Sequence, residues 1–298
     1  MVDAAAAVDA WAARATRIPV AGEQVAVVDV AAAGVEAGPP VLVIHGFPTS
    51  SIDFAPVLDR LAAGRRVVLV DLPGYGLSDK PDRAYSLFGQ ADTVEAVARD
   101  RGLGEVDLLT HDMGDSVGGE LLARTAESGS PLRVRRRVIA NGSIYLDLAH
   151  LTDGQKLLRS LPDETLPEGA GPDAAALAAT LAALCSPAPP DRATAGHLRA
   201  GAELVIREGG GRLLPRLIRY LDERAVHEGR WTGAIESHPA PLGVVWGRGD
   251  PIAVPAMVDL LASRRPDAAV TWLDAGHWPM VEQPDAFAAA VLATLDAP

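Results

Sequence analysis

Asp112 occupies the position of a nucleophile in a strand-turn-helix sequence. The run Leu108-Leu109-Thr110-His111-Asp112-Met113-Gly114-Asp115 leads an apolar segment, Val106 to Leu109, into a small residue, a carboxylate and a glycine. A helix-like segment follows from Ser116 to about Thr125. That layout predicts a nucleophile elbow, which thrusts the middle residue of its turn above a sheet. A carboxylate there is already ionised near pH 7, whereas a serine would need a base. Such a carboxylate suits displacement of a leaving group from an sp3 carbon, giving an alkyl ester that water then cleaves. Asp250, in Gly247-Arg248-Gly249-Asp250-Pro251, and His277, in Asp274-Ala275-Gly276-His277-Trp278-Pro279, each follow a later strand-like run. Taken together they predict a triad. Asp112 attacks carbon, His277 takes a proton from water, and Asp250 holds the imidazole tautomer and stabilises the imidazolium. His45-Gly46-Phe47-Pro48 follows an earlier strand-like run. The backbone N–H groups of Phe47 and Met113 are the predicted oxyanion hole. Each segment alone has a plainer reading: a turn residue for Asp250, a structural hydrogen bonder for His277, a Gly-Pro turn after Ile44. Their shared placement at strand ends is what selects the catalytic one.

The elements that must position these groups are short apolar runs separated by helical patterns. Strands are predicted at Gln24–Val30, Val41–Ile44, Val67–Val70, Val106–Leu109, Arg137–Ala140, Leu242–Trp246 and Ala269–Leu273. The central runs are continuously apolar, the pattern of a parallel sheet covered on both faces. The fold class is therefore α/β, a mostly parallel doubly wound sheet. Residues 144–240 break the rhythm. They are rich in Ala and Leu, punctuated by Pro162, Pro167, Pro172, Pro187, Pro189 and Pro190, and interrupted at Gly209-Gly210-Gly211. They are read as a helical cap inserted into a core of residues 1–143 and 241–298. The alternative is a pair of ordinary crossover helices with a long loop, an uncommon device in compact domains.

Composition narrows the function. The 298-residue chain is 48% hydrophobic and 22% charged, enough for a sizeable core. A net charge of −12 speaks against nucleic acid or an anionic membrane surface as partner. The start Met1-Val2-Asp3-Ala4 lacks a basic, apolar leader and no run is long enough for a membrane span, so the cytoplasm is the expected location. The lone Cys185 reads as a small apolar filler. The seven histidines show no metal-ligand spacing, and no phosphate or dinucleotide loop appears, so neither metal nor cofactor is expected.

These motifs and the chain order Asp112, Asp250, His277 resemble the α/β-hydrolase superfamily, from about Val25 to Leu295, in its aspartate-nucleophile branch of epoxide hydrolases and dehalogenases. The loop Asp71-Leu72-Pro73-Gly74-Tyr75-Gly76-Leu77-Ser78-Asp79-Lys80-Pro81 is typical of those enzymes. Two segments, His111–Asp115 running into Gly119-Glu120-Leu121-Leu122, and Arg230-Trp231-Thr232-Gly233-Ala234-Ile235, are similar to the mesoderm-specific transcript group. Thr110 departs from the family, which more often has glycine there.

The leaving group separates the branch's activities. Haloalkane dehalogenases place side-chain donors where this chain has Met113 and Phe47, which have none. The His-Gly-Phe-Pro form is the one usual in epoxide hydrolases, whose opening alkoxide takes a proton from cap tyrosines. The resemblance implies Tyr220 in that role and, less directly, Tyr145, which lies closer to Asp112 than the family places it. Tyr220 also reads as a packing residue in its helix. His45, His150 and Trp278 are expected to contact substrate. The activity implied is opening of a small apolar epoxide by water, in a monomer or homodimer. The alternatives are a dehalogenase, with Trp231 or His150 and Tyr220 holding the halide, and a non-catalytic ligand receptor. A serine esterase using Ser50, Ser51 or Ser116 is weaker, since none occupies the elbow.

Overall fold

Two four-residue runs with only aliphatic side chains, Val41–Ile44 and Val67–Val70, are wholly buried and form the middle of a sheet. Each has apolar side chains on both strand faces, so each is covered by helices on both sides. The computed structural model describes residues 4–127, 129–142, 144–186 and 188–297. Met1 to Asp3, Ser143 at the predicted domain boundary, and Pro187 lie outside them.

The strands are β1 (Ala15–Val20), β2 (Glu23–Val30), β3 (Val41–Ile44), β4 (Val67–Val70), β5 (Glu105–His111), β6 (Arg133–Ala140), β7 (Leu242–Gly247) and β8 (Ala269–Leu273). Among the described residues they form one eight-stranded sheet in the order β1-β2-β4-β3-β5-β6-β7-β8. β1 and β2 run antiparallel to their neighbours, and all pairs from β4 to β8 are parallel. β3 lies between β4 and β5, so the chain reverses its direction of travel across the sheet there. Ligands collect at such switch points, outside the carboxyl ends of the strands. The loop after β3 and the turn after β5 meet at this one.

Two strands exceed the predicted pattern. β1 is an edge strand that carries Pro19 and exposes most of its side chains, so its sequence lacks a period-two signal. β6 begins at Arg133, four residues before the predicted start, because its arginines are satisfied at the sheet's end. Arg135 Nε donates to Asp107 Oδ1 at 2.9 Å, and Arg135 Nη2 to Leu295 O at 3.0 Å.

The helices α1 (Ala4–Ala12), α2 (Ala55–Leu61), α3 (Leu87–Asp100) and α4 (Met113–Ala126) belong to the first part of the chain. Between β6 and β7 come α5 (Asp153–Ser160), α6 (Ala174–Ala182), α7 (Arg192–Ile206), α8 (Leu214–Leu217) and α9 (Tyr220–Ser237). The remaining helices are α10 (Pro255–Arg264), α11 (Pro279–Glu282) and α12 (Pro284–Leu295). The triple-glycine stretch falls in a tight-turn segment, Arg207–Leu213, where Glu208 and Gly209 have φ of 54° and 78°. α9 packs along α4, while α7 packs on α1. α9 is thereby seated on the helix that follows the elbow. No helix among the described residues is long and apolar enough to cross a membrane.

At the sheet's opposite end Asp107 is fully buried and gathers Arg65, at 3.2 Å, and Arg135. Arg65 is buried as well and also donates to Leu295 O at 3.1 Å. Removing one member of a buried ion pair leaves the other charge uncompensated. Asp107→Ala is therefore expected to destabilise the protein by about 3–5 kcal/mol, read as a drop in the urea-unfolding midpoint with little change in slope.

Candidate active site

The elbow is a backbone feature before it is a chemical one. Asp112 has φ 51° and ψ −121°, a conformation that non-glycine residues rarely adopt. α4 starts at the next residue, three earlier than the sequence suggests, because the turn feeds straight into it. Gly114 permits the close approach: a Cβ there would lie 2.5 Å from Ile44 O. Gly46 faces the turn from the β3 loop, where a Cβ would meet the Asp112 Cβ at 2.5 Å.

These approaches set the Asp112 carboxylate between two backbone donors. Phe47 N–H donates to Oδ2 at 2.8 Å, and the Met113 N–H also bonds the carboxylate. Burial raises the Asp112 carboxyl above its usual range, while His277 and these two N–H groups pull it back down. Thr110, the residue that departs from the family pattern, bonds the buried Asp115 through its hydroxyl. Arg137 Nη2 donates to Thr110 Oγ1 at 3.3 Å and to Asp115 O at 3.1 Å. A glycine at 110 could not form this brace beneath the elbow. Burial pushes the Asp115 carboxyl up to about 7 despite Arg137.

His277 arrives from the loop after β8, with Nε2 4.0 Å from Asp112 Oδ1 and Nδ1 2.8 Å from Asp250 Oδ2. Asp250 itself is saturated. Its Oδ1 accepts from Ile252 N at 2.7 Å and Ala253 N at 3.0 Å, and its Oδ2 also accepts from Asn141 Nδ2 at 2.7 Å. A carboxylate fixed at both oxygens fixes the ring it faces, and it selects the tautomer with a proton on Nδ1. Burial opposes charging His277, but Asp250, Asp112 and Asp53 together outweigh it and lift the imidazolium to about 9. The loop is held from outside too: His277 N–H donates to Leu184 O of the inserted segment at 2.9 Å, and its carbonyl accepts from His111 Nε2 at 2.8 Å.

A small cavity of about 10 Å³ beside the elbow is lined by Tyr75, Tyr85, Gln90, Met113, Leu217 and Tyr220, among others. Tyr220 is buried, its ring 5.6 Å from that of Phe47. Tyr75 O–H donates to Met113 Sδ at 3.3 Å. Burial raises both phenols well above 10, and the Asp112 charge raises them further.

Residues 41–290 match the alpha/beta hydrolase family. The chain belongs to that family. The hydrolase is 43% identical over 265 residues to a hydrolase named LipZ of Mycobacterium tuberculosis, covering 86% of this chain and 88% of that one. It is 31% identical over 274 residues to the mesoderm-specific transcript protein of Mus musculus, covering 85% and 78%. A haloalkane dehalogenase of Mycolicibacterium paratuberculosis is 38% identical over 108 residues, 35% of this chain and 34% of that one. The enol-lactonase of Burkholderia xenovorans LB400 superposes with a TM-score of 0.75, at 20% identity and covering 95% and 100%, a likeness of fold.

The structure brings Asp112, Asp250, His277, Phe47, Met113 and Tyr220 of the hydrolase together. Five other predicted residues are placed otherwise. Tyr145 is half-buried and its hydroxyl donates to Glu236 Oε1 at 2.8 Å, because it lies where the inserted segment leaves β6 and meets the end of α9. His150 is exposed, with its backbone N–H on Ile252 O at 3.1 Å. Both ring nitrogens of His45 are used by protein, Nδ1 at Gly46 O and Nε2 as acceptor from Leu72 N at 3.1 Å, so it ties two loops rather than touching substrate. Trp278 is buried edge-on against His277, with ring centroids 4.7 Å apart, and supports the ring from behind. Trp231 is spent as well: its Nε1 donates to Glu120 Oε2 at 2.9 Å, which leaves it no hydrogen for a halide.

Three site residues escape the sequence reading. Asn141 is signalled only as an Asn-Gly at a strand end; it has φ 42° and bonds both Asp250 and Gly247 N. Asp53 faces Thr49 and Trp278 near His277, and burial raises its carboxyl to about 7. Tyr75 reads as a loop residue, and only the fold turns it to the elbow. Because Asp250 contributes the largest upward pull on His277, Asp250→Asn is expected to lower the histidine's titration from about 9, measured by NMR of the ring nitrogens. Its companion effect is a loss of turnover of about 10⁴-fold, as for a neutralised triad acid.

Proposed function

We propose that the protein hydrolyses a small epoxide in two steps through an alkyl ester of Asp112. The observation that carries this reading is the Asp112 carboxylate, buried at the elbow. One of its oxygens sits on the Phe47 N–H at 2.8 Å and the other faces His277 Nε2 at 4.0 Å. That gap is longer than a hydrogen bond, so the imidazole does not clamp the carboxylate.

In the first step an Asp112 oxygen forms a bond to an epoxide carbon, the carbon–oxygen bond of the ring breaks, and the alkoxide takes the Tyr220 proton. In the second, water attacks the ester carbonyl and gives a proton to His277, held by Asp250. The tetrahedral oxyanion rests on the Phe47 and Met113 N–H groups. Collapse expels the diol and restores the Asp112 carboxylate, and the proton returns to the Tyr220 phenolate through solvent. The helices between β6 and β7 act as the cap: they supply Tyr220 and Leu217 to the pocket and anchor the His277 loop through Leu184.

Epoxide is preferred to halide because a departing alkoxide needs an acid, which Tyr220 supplies, whereas a halide needs N–H donors. Met113 and Phe47 offer none from their side chains, and Trp231 is committed to Glu120. The match to a haloalkane dehalogenase keeps a halide as the second reading of the same triad.

His277→Gln stalls the second step. Incubated with an epoxide, this variant is expected to gain the whole epoxide mass on Asp112 by intact-protein mass spectrometry. A halide substrate instead adds its mass less that of the hydrogen halide, and an adduct of neither kind overturns the reading. Tyr220→Phe is expected to slow epoxide opening by about 100-fold or more in single-turnover measurements; an unchanged rate removes Tyr220 from the mechanism.

A further inference from the structure

We infer that Arg224 receives a carboxylate of the substrate, so that the molecule opened at Asp112 is a small aliphatic epoxide bearing a carboxylate group. This rests on the reading of Asp112 as the nucleophile and names the substrate class of that site.

Arg224 lies on α9 one turn past Tyr220, and residues four apart share a helix face. It is 3% exposed, yet it makes no hydrogen bond or ion pair among the described residues. The other buried arginines are all partnered. Arg65 binds Asp107, Arg137 binds Thr110 and the Asp115 carbonyl, and Arg265 binds Asp267 together with the Ile235 carbonyl.

The titratable groups within electrostatic reach of Arg224 include Tyr220, Glu228, Asp112 and Asp115. Each carboxylate among them is engaged elsewhere. Glu228 accepts from Leu146 N at 2.6 Å, Asp112 from Phe47 N, and Asp115 bonds Thr110. A guanidinium taken out of water with no anion at hydrogen-bond distance is costly, and burial accordingly lowers its affinity for its proton. A ligand anion would complete the arrangement. The guanidinium presents a planar fork of donors that matches the two oxygens of a carboxylate. Its place beside Tyr220 puts that fork on the same helix face as the proposed proton donor, so one substrate can meet both. The cation also offsets the repulsion that a carboxylate substrate would feel from the ionised nucleophile.

Propionate and its neutral counterpart propionamide are suitable probes, with binding measured by saturation-transfer NMR and calorimetry on the intact protein. Propionate is expected to bind at least ~10-fold more tightly than propionamide, the scale of one charge-assisted contact. Arg224→Gln is expected to abolish that preference, while Arg224→Lys, which keeps the charge, retains it within a few-fold; thermal melts of both variants report whether they fold. Equal binding of the two probes, a preference that survives in Arg224→Gln, or bromide displacing propionate with equal affinity overturns the inference. The binding needs no chemistry at Asp112. A trapped Asp112 ester without a propionate preference therefore removes this inference alone, whereas a propionate preference without any trapped ester removes the nucleophile reading alone.

Discussion

A carboxylate that is 3% exposed, on a residue with positive φ, is the feature around which this protein is arranged. An ionised group loses its hydration on burial, a cost that only close dipoles and opposite charges offset. Here the offsets come from three separate parts of the chain. The β3 loop gives the Phe47 N–H, the first turn of α4 gives the Met113 N–H, and the loop after β8 gives the imidazolium of His277. Each contributor depends on backbone proximity that a larger residue would prevent, which is why Gly46 and Gly114 flank the site. The topology supplies the rest. With β3 between β4 and β5, the donor loop and the elbow leave adjacent strands at the same sheet edge.

Charge around the histidine follows from the same burial. Asp250, Asp112 and Asp53 all favour the imidazolium, and together they outweigh its desolvation. His111, packed 4.9 Å from the His277 ring, takes the opposite course: burial pushes its affinity for a proton far down, and it stays neutral while donating to the His277 carbonyl. Two histidines in contact thus shift in opposite directions: carboxylates outweigh burial at His277, whereas burial and the neighbouring His277 outweigh the carbonyl bond at His111. Beneath them the Thr110, Asp115 and Arg137 group is a buried polar support whose members all have partners. It converts an exception to the family sequence into a brace for the elbow.

How much of this was legible in the sequence depends on whether a signal is local. β3 and β4 match their predicted limits residue for residue, because four consecutive aliphatic residues admit few other fates. The elbow, the acid and the histidine are visible because each sits directly after such a run. β1 is not visible, since an edge strand need not alternate, and the start of β6 is hidden by arginines whose partners lie far along the chain at Asp107 and Leu295. The side chains that complete the pocket are the least legible. Tyr75 and Tyr145 are both tyrosines near motif segments, and only the path of the inserted helices decides that the first faces Met113 and the second Glu236. Asn141 carries only an Asn-Gly signal, and Arg224 carries none. What distinguishes them is a bond to Asp250 in one case and the lack of any bond in the other, both of which exist only in three dimensions.

The proposed chemistry also explains why the nucleophile and its neighbours are electrostatically linked rather than merely close. The Asp112 charge raises the pKa of Tyr220 and of His277 alike. When Asp112 forms an ester that charge disappears, and both groups become more acidic in the same event. For Tyr220 the change comes as the epoxide oxygen needs a proton, so donation becomes easier as the bond to carbon forms. For His277 it means that the imidazolium gives up its proton to solvent more readily, which favours the neutral base that activates water. Under the proposed mechanism one bond therefore shifts both groups towards the hydrolysing step. A serine at the elbow, neutral before attack, could not drive either shift, so under the proposed mechanism residue 112 sets the reaction's order as well as its first step.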